Sequence, residues 1–146
     1  MTAYLLDVNV LIALSWPGHE FHEVTQKWFG RNAQKGWATC PLVEASFVRI
    51  LSNPAFSVHA VTPKEAVHVL GLNTSHPAHQ FWADDLPLAD GLTMFKDRLV
   101  GHQQVTDAYL LALATHRKGK LATLDKRLAG LVEESGPGGA NIEMVR

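Results

Sequence analysis

The chain has little that would cross-link it or carry it into a membrane. Its one cysteine, Cys40, cannot form a disulfide within the chain, which fits a reducing compartment, and we therefore expect a cytoplasmic protein. The apolar stretch near the amino terminus lacks a positively charged start and contains Asp7 and Asn9, so it does not fit a signal peptide. No other stretch approaches the roughly 20 apolar residues of a membrane span.

Charge is scarce as well. Charged residues make up 18% of the chain and hydrophobic residues 47%, with a formal net charge of -1. This is a globular composition without the overall positive charge that would indicate a polyanion partner, so any contact with nucleic acid has to be local. The length of 146 residues fits one domain spanning 1–146.

Short apolar runs alternate with longer helical segments along the chain. We predict strands at residues 3–6, 37–40, 79–83, 120–124 and, at an edge, 142–145. We predict helices at about 10–14, 19–33, from 41 to a stop at 52–54, 62–70 with Gly71 closing it, 92–95 and 104–118, and a loop at 136–139.

This alternation predicts an α/β fold, a three-layer α/β/α sandwich around a mainly parallel sheet. The segment from 108 to 114 is apolar on nearly every side, which is typical of a helix at the centre of a domain. In sheets of this kind the ligand crevice lies beyond the carboxyl ends of the strands.

Four acidic residues fall where that crevice is expected. Asp7, Glu44 and Asp125 lie just past predicted strands, and Asp107 lies in the first turn of a predicted helix. Each pair of ionised carboxylates about 4 Å apart would repel by roughly 4 kcal/mol at an effective dielectric near 20. Bound protons or a divalent cation must relieve such repulsion, and carboxylate oxygens suit Mg²⁺ or Mn²⁺ better than zinc.

The sequence around these acids resembles the PIN-domain family, and in particular its VapC-like toxins of type II toxin–antitoxin systems. The resemblance covers almost the whole chain. The segments that carry it are LLDVNVLIAL (5–14), ATCPLVEASFVRILSNP (38–54), GHQQVTDAYLLALA (101–114) and GKLATLDKRL (119–128).

The resemblance implies a Mg²⁺-dependent endoribonuclease, with Mn²⁺ as a substitute, that a cognate antitoxin protein silences and that forms a homodimer. All four acids match the metal-binding acids of the family: Asp7 and Asp107 would bind the metal directly, Asp125 would complete its ligand shell, and Glu44 would contact metal-bound or attacking water. The polar residues that match the family around the site are Asn9, Thr106 and Thr123.

Local positive charge and aromatic side chains add candidates for RNA contacts. Lys126 and Arg127 follow Asp125 directly, Arg98 lies in the segment leading to Asp107, and Trp16 lies in a predicted loop where it could stack on a base. A further cation, Arg49, could reach substrate or bind an antitoxin carboxylate.

Three other readings stay open at this point. A haloacid-dehalogenase-like phosphatase also places Asp after an apolar strand, although Asn9 stands here where that class has a second acid. A non-catalytic PIN-like RNA-binding protein would keep the fold without turnover. The histidine pairs His19/His22 and His76/His79 have a spacing compatible with zinc, but paired histidines alone are weak evidence.

Overall fold

A computed structural model describes residues 2–132 and 138–146. Its centre is a five-stranded sheet in which every pair of neighbouring strands is parallel, in the order β3-β2-β1-β4-β5. The strands are β1 (Tyr4–Leu6), β2 (Trp37–Thr39), β3 (His79–Phe81), β4 (Lys120–Thr123) and β5 (Ile142–Met144).

Helices precede or follow every strand, as parallel connections require. They are α1 (Val8–Ser15), α2 (His22–Asn32), α3 (Pro41–Leu51), α4 (Pro63–Thr74), α5 (Leu88–Leu92) and α6 (Val105–His116). Short 3₁₀ helices cover Ala33–Lys35, Thr93–Arg98, His102–Gln104, Lys126–Leu131 and Gly139–Asn141. The predicted α/β sandwich is confirmed, and no helix in the described part of the chain is long and apolar enough to cross a membrane.

The strand order reverses between β1 and β4. From β1 the chain moves through β2 to β3 on one side, and β4 and β5 are added on the other side. The carboxyl ends of β1 and β4 therefore border the crevice in which open parallel sheets bind their ligands. The amide of Asp7 donates to the carbonyl of Ala122 (3.0 Å), which fixes the end of β1 against the end of β4.

The core lies around this central pair of strands. Leu5 and Leu6 have no exposed surface, and every residue of α6 from Ala108 to Ala114 is buried. Both α1 and α6 pack against β1 and β4, while α1 also contacts α2 and α3. The prediction that the apolar segment 108–114 lies at the centre of the domain is thus confirmed.

Several predicted boundaries were wrong for local reasons. Gly71 does not end α4, because its backbone stays helical and the helix continues to Thr74. The first helix begins at Val8, since the Asp7 side chain caps it. The second begins at His22, because residues 17–21 form turns in which the His19 ring accepts the amide of Phe21 (3.0 Å).

The region before α6 also differs from the prediction. A helix occupies Leu88–Leu92, ahead of the helix predicted at 92–95, and it continues into the 3₁₀ segment Thr93–Arg98. The predicted loop at 136–139 lies partly outside the described residues; within them, Gly138 has a positive φ of 86° and Gly139 starts a 3₁₀ turn. The edge strand β5 is confirmed, one residue shorter than predicted.

Candidate active site at the ends of the central strands

Asp7 is the most enclosed of the four acids, with 4% of its surface exposed. It follows β1 and caps α1, so that Oδ1 accepts the amide of Val8 (2.8 Å) while Oδ2 accepts the Thr123 hydroxyl (3.0 Å). Burial raises the pKa of Asp7 above its ordinary value, the charge of Asp125 raises it further, and the two hydrogen bonds oppose this rise.

Asp107 joins Asp7 from the first turn of α6, a half-buried position. Burial, followed by the negative charges of Asp7 and Asp125, raises the pKa of Asp107 to about 6, and the charge of Arg127 acts in the opposite direction. Desolvation and like charges both disfavour an ionised carboxylate. Within the described part of the chain, no cation is bonded to Asp7 or Asp107, and the charge of Arg127 offsets only part of the rise at Asp107.

Asp125 has such a cation. The guanidinium of Arg127 donates to both of its oxygens, from Nε to Oδ1 (3.1 Å) and from Nη2 to Oδ2 (3.0 Å). These hydrogen bonds lower the pKa of Asp125. The amide of Asp125 also donates to the Thr123 hydroxyl oxygen (3.0 Å), so one threonine connects Asp7 and Asp125.

Glu44 occupies the first turn of α3, as predicted, but its immediate partners differ from those of the other three acids. The Thr39 hydroxyl donates to Glu44 Oε2 (2.7 Å), and the same hydroxyl lies 2.8 Å from Nε2 of His79. The charge of Asp125 acts on Asp7, and the charges of Asp7 and Asp125 act on Asp107, whereas the charge of Glu44 acts on His79. The structure thus brings three acids into one cluster and holds Glu44 beside β2 and β3.

The family model for the PIN domain matches residues 4–133. This chain belongs to the PIN-domain family. It is 47% identical over 138 residues to Ribonuclease VapC39 of Mycobacterium tuberculosis, an alignment that covers 91% of this chain and 99% of that protein. Ribonuclease VapC38 of the same organism is 43% identical over 130 residues, covering 89% of this chain and 90% of the relative.

Solved structures support the same fold at much lower identity. DNA-bound VapBC from Salmonella typhimurium aligns over 100% of both chains with a TM-score of 0.66 and 17% identity. VapBC2 from Rickettsia felis bound to a promoter DNA fragment aligns over 98% of both chains with a TM-score of 0.64 and 12% identity. At such identities the likeness concerns the fold alone.

Within the PIN domain, the three predicted supporting residues differ in environment. Thr123 is fully buried and contacts two of the acids. Asn9 and Thr106 are exposed, one in the first turn of α1 and the other directly before Asp107. Sequence reasoning missed Thr39, whose position as the last residue of β2 parallels that of Thr123 at the end of β4. The occurrence of a threonine at the end of both strands was the sequence signal that could have identified Thr39.

The donor set of the cluster fits a small divalent cation. Among residues 2–132 and 138–146, no three His, Cys, Asp or Glu side chains form a group that could hold a metal ion. Mg²⁺, however, is commonly held by one or two carboxylates, with water and substrate phosphate as its other ligands. The carboxylates of Asp7 and Asp107, whose pKa values are raised, are suitable donors.

Cationic and polar side chains border the cluster. A cavity of about 170 Å³ beside Asp107 and Asp125 is lined also by Gln103, Arg127 and Leu128, among others. Lys126 and Arg127 are exposed next to it. A third candidate for RNA contacts, Arg98, donates from Nη1 to the carbonyl of Gly130 (3.4 Å).

The ring of Trp16 packs against other aromatic rings. It is half-buried directly after α1, with its centroid 5.9 Å from that of His19 and 6.0 Å from that of Phe56. The predicted stacking of an RNA base on Trp16 has no support from these contacts and stays a prediction.

Proposed function

We propose that this PIN-domain protein is an endoribonuclease that hydrolyses RNA phosphodiester bonds and acts as the toxin of a toxin–antitoxin pair. The observation that carries the proposal is the link of Asp7 to Asp125 through Thr123, together with the cavity that Asp107 and Asp125 both line, in a chain 47% identical to Ribonuclease VapC39. Polarised oxygen donors beside a cavity are suited to binding a cation and a phosphate diester together.

In this proposal Asp7 and Asp107 hold a divalent cation, Mg²⁺ in the cell with Mn²⁺ as a substitute, and Asp125 completes the set. A bound cation of this kind lowers the pKa of a water molecule and stabilises negative charge on phosphoryl oxygens. The Thr123 hydroxyl donates a 3.0 Å hydrogen bond to the Asp7 carboxylate and so fixes its orientation relative to β4.

The remaining residues act on the substrate. Glu44 accepts a proton from the water that attacks phosphorus, and Asn9 and Thr106 contribute polar contacts at the rim of the site. The exposed cations Lys126 and Arg127, together with Arg98, attract the RNA backbone beside the 170 Å³ cavity. Water attack produces two shorter RNA strands, with one new bond from the water oxygen to phosphorus and one broken phosphorus–oxygen bond.

The partners follow from the same family. We propose a cognate antitoxin that covers the site, since the solved structures of similar fold are VapBC assemblies. An open groove along α3 and α4 contains both Glu44 and Arg49, which places a cation where an antitoxin carboxylate could bind. A homodimer of the toxin is part of the proposal.

The decisive experiment compares the wild-type protein with the Asp7→Asn variant on RNA and on a small phosphate monoester. We expect cleavage of RNA that requires added Mg²⁺, loss of that cleavage in the variant and no release of phosphate from the monoester. Asp90→Asn, which alters an exposed acid in the first turn of α5, is the matched control and should cleave like the wild type.

Three results would contradict the proposal. Equal RNA cleavage by the Asp7→Asn variant would remove this site from the reaction. Phosphate release from the monoester without RNA cleavage would support the haloacid-dehalogenase-like alternative, and RNA binding without cleavage under any metal condition would support the non-catalytic one.

A further inference from the structure

A chain of hydrogen bonds runs from Glu44 through Thr39 to His79. The Thr39 hydroxyl lies 2.7 Å from Glu44 Oε2 and 2.8 Å from His79 Nε2. Thr39 has no exposed surface, while Glu44 and His79 are each half-buried. The link spans two strands and a helix, because Thr39 ends β2, His79 begins β3 and Glu44 lies in the first turn of α3.

The chemistry of the three groups fixes the direction of the chain. An ionised carboxylate only accepts hydrogen bonds, so the single hydroxyl hydrogen of Thr39 goes to Glu44. The Thr39 oxygen can then only accept from the imidazole, which requires the hydrogen of His79 to be on Nε2. Both contacts therefore point toward Glu44, and each strengthens the other by polarisation.

The imidazole is itself held in place. The centroid of the His79 ring lies 4.7 Å from that of the buried Trp37 ring, with an angle of 60° between the planes, and the two residues are register partners of β2 and β3. Packing of this kind restricts the ring, so that Nε2 stays directed at Thr39. His79, held by the sheet, thereby restrains Thr39 and, through it, the Glu44 side chain on α3.

The same device occurs a second time in the sheet. Thr123, the last residue of β4, donates to Asp7, just as Thr39, the last residue of β2, donates to Glu44. Asp7 receives additional support from the amide of Val8 (2.8 Å), whereas no further hydrogen bond to the Glu44 carboxylate is recorded among the described residues. Glu44 therefore depends more on its threonine, and on whatever orients that threonine.

We propose that His79 and Thr39 are positioning residues that hold the Glu44 carboxylate in the orientation required for RNA cleavage. The inference rests on the proposed function, because it assigns these residues to the reaction of that site. Without the restraint, the flexible Glu44 side chain distributes over several rotamers, and only a fraction of molecules present the carboxylate correctly. The loss should fall on kcat and leave KM for RNA nearly unchanged.

The test replaces His79 with Leu, which cannot donate, and with Gln, whose amide can. We expect H79L to lower kcat at least tenfold, equivalent to about 1.4 kcal/mol, with KM changed less than twofold, and H79Q to recover most of the loss. His76→Leu is the matched control, because His76 also packs on Trp37 (5.8 Å) but has no recorded bond to Thr39. It should cleave like the wild type.

A double-mutant cycle separates positioning from general damage. In an E44Q background, H79L should lower kcat less than twofold, because the carboxylate that it positions is already gone. Thr39 provides an independent pair of variants: T39V removes the hydroxyl and T39S keeps it. This pair tests the inference even if H79L does not fold. Thermal unfolding followed by circular dichroism establishes that each variant is folded.

Three outcomes would overturn the inference: wild-type kcat in both H79L and T39V, an equal loss of kcat in the E44Q background, or a rise in KM with kcat unchanged. The Asp7→Asn variant distinguishes this failure from that of the proposed function. If Asp7→Asn abolishes cleavage while H79L and T39V cleave normally, the ribonuclease proposal stands and the positioning role is excluded.

Discussion

Two carboxyl groups of the site, those of Asp107 and Asp125, have pKa values shifted in opposite directions. Burial and the charges of Asp7 and Asp125 raise the pKa of Asp107 to about 6, whereas the hydrogen bonds from Arg127 lower the pKa of Asp125. One acid is near other acids without a cation of its own, and the other has an arginine bonded to both oxygens. If the site holds a cation, as proposed, this difference favours Asp7 and Asp107 as its carboxylate ligands.

Removing the charge of Asp107 should have the largest effect on activity. We expect Asp107→Asn to lower kcat for RNA on the order of 10²–10³-fold, since a preorganised charge at the reacting phosphate is lost. Cleavage of a labelled RNA at saturating Mg²⁺ measures the effect, with Asp90→Asn as control. Activity of Asp107→Asn within twofold of the wild type would show that the Asp107 carboxylate does not serve the reaction.

Breaking the threonine link between the two halves of the cluster should cost stability. The fully buried Thr123 donates to Asp7 and accepts from the Asp125 amide, so Thr123→Val leaves both groups without that partner. We expect a loss of ~2 kcal/mol in the free energy of unfolding, measured with urea. Thr123→Ser keeps the hydroxyl and should lose clearly less; equal losses would assign the effect to packing.

The Asp107 carboxylate should also make the metal-free protein less stable as the pH rises. Because the pKa of Asp107 is about 6 when folded and ordinarily 3.8, the folded state binds more protons between these values. Stability therefore falls from pH 4 to pH 7 and is unaffected by this group below pH 4. Part of the carboxylate faces water, so we expect only ~1 kcal/mol after screening.

Urea unfolding in EDTA at pH 5 and pH 7.5 tests this expectation. The difference between wild type and Asp107→Asn cancels the contributions of titrating groups that do not interact with Asp107, and the variant should gain stability relative to the wild type at the higher pH. Added Mg²⁺ should stabilise the wild type and leave the variant nearly unaffected. A pH-independent difference between the two proteins would contradict the assigned pKa shift of Asp107.

The smallest effect is expected for Arg127, the arginine bonded to Asp125, and it concerns RNA binding. Arg127→Ala should reduce the slope of log K against log salt for RNA binding by ~1, because one phosphate contact is removed. Binding is best measured in the Asp7→Asn background, which avoids cleavage. Lys27→Ala, which removes an exposed cation of α2 paired with Glu23, is the control and should leave the slope unchanged. An unchanged slope in Arg127→Ala would exclude a phosphate contact.

Much of the architecture could be predicted from local patterns. The continuous apolar run of α6 indicated its central position, and Pro41 and Thr62 marked helix starts at α3 and α4 that the structure bears out. Gly71 misled because a glycine inside a helix costs only about 1 kcal/mol relative to alanine, which packing of the remaining turns overcomes. Element boundaries depend on such balances and were the least predictable feature.

The sequence by itself determined the alternation of strands and helices, and from it the prediction that Asp7, Glu44, Asp107 and Asp125 would be directed to one edge of a parallel sheet. Only the tertiary structure decided how their charges are balanced, because that depends on the strand order that puts β1 beside β4 and on the Arg127 side chain folding back onto Asp125. The bond from Thr39 to His79 likewise joins residues 40 positions apart, and no local pattern encodes that distance.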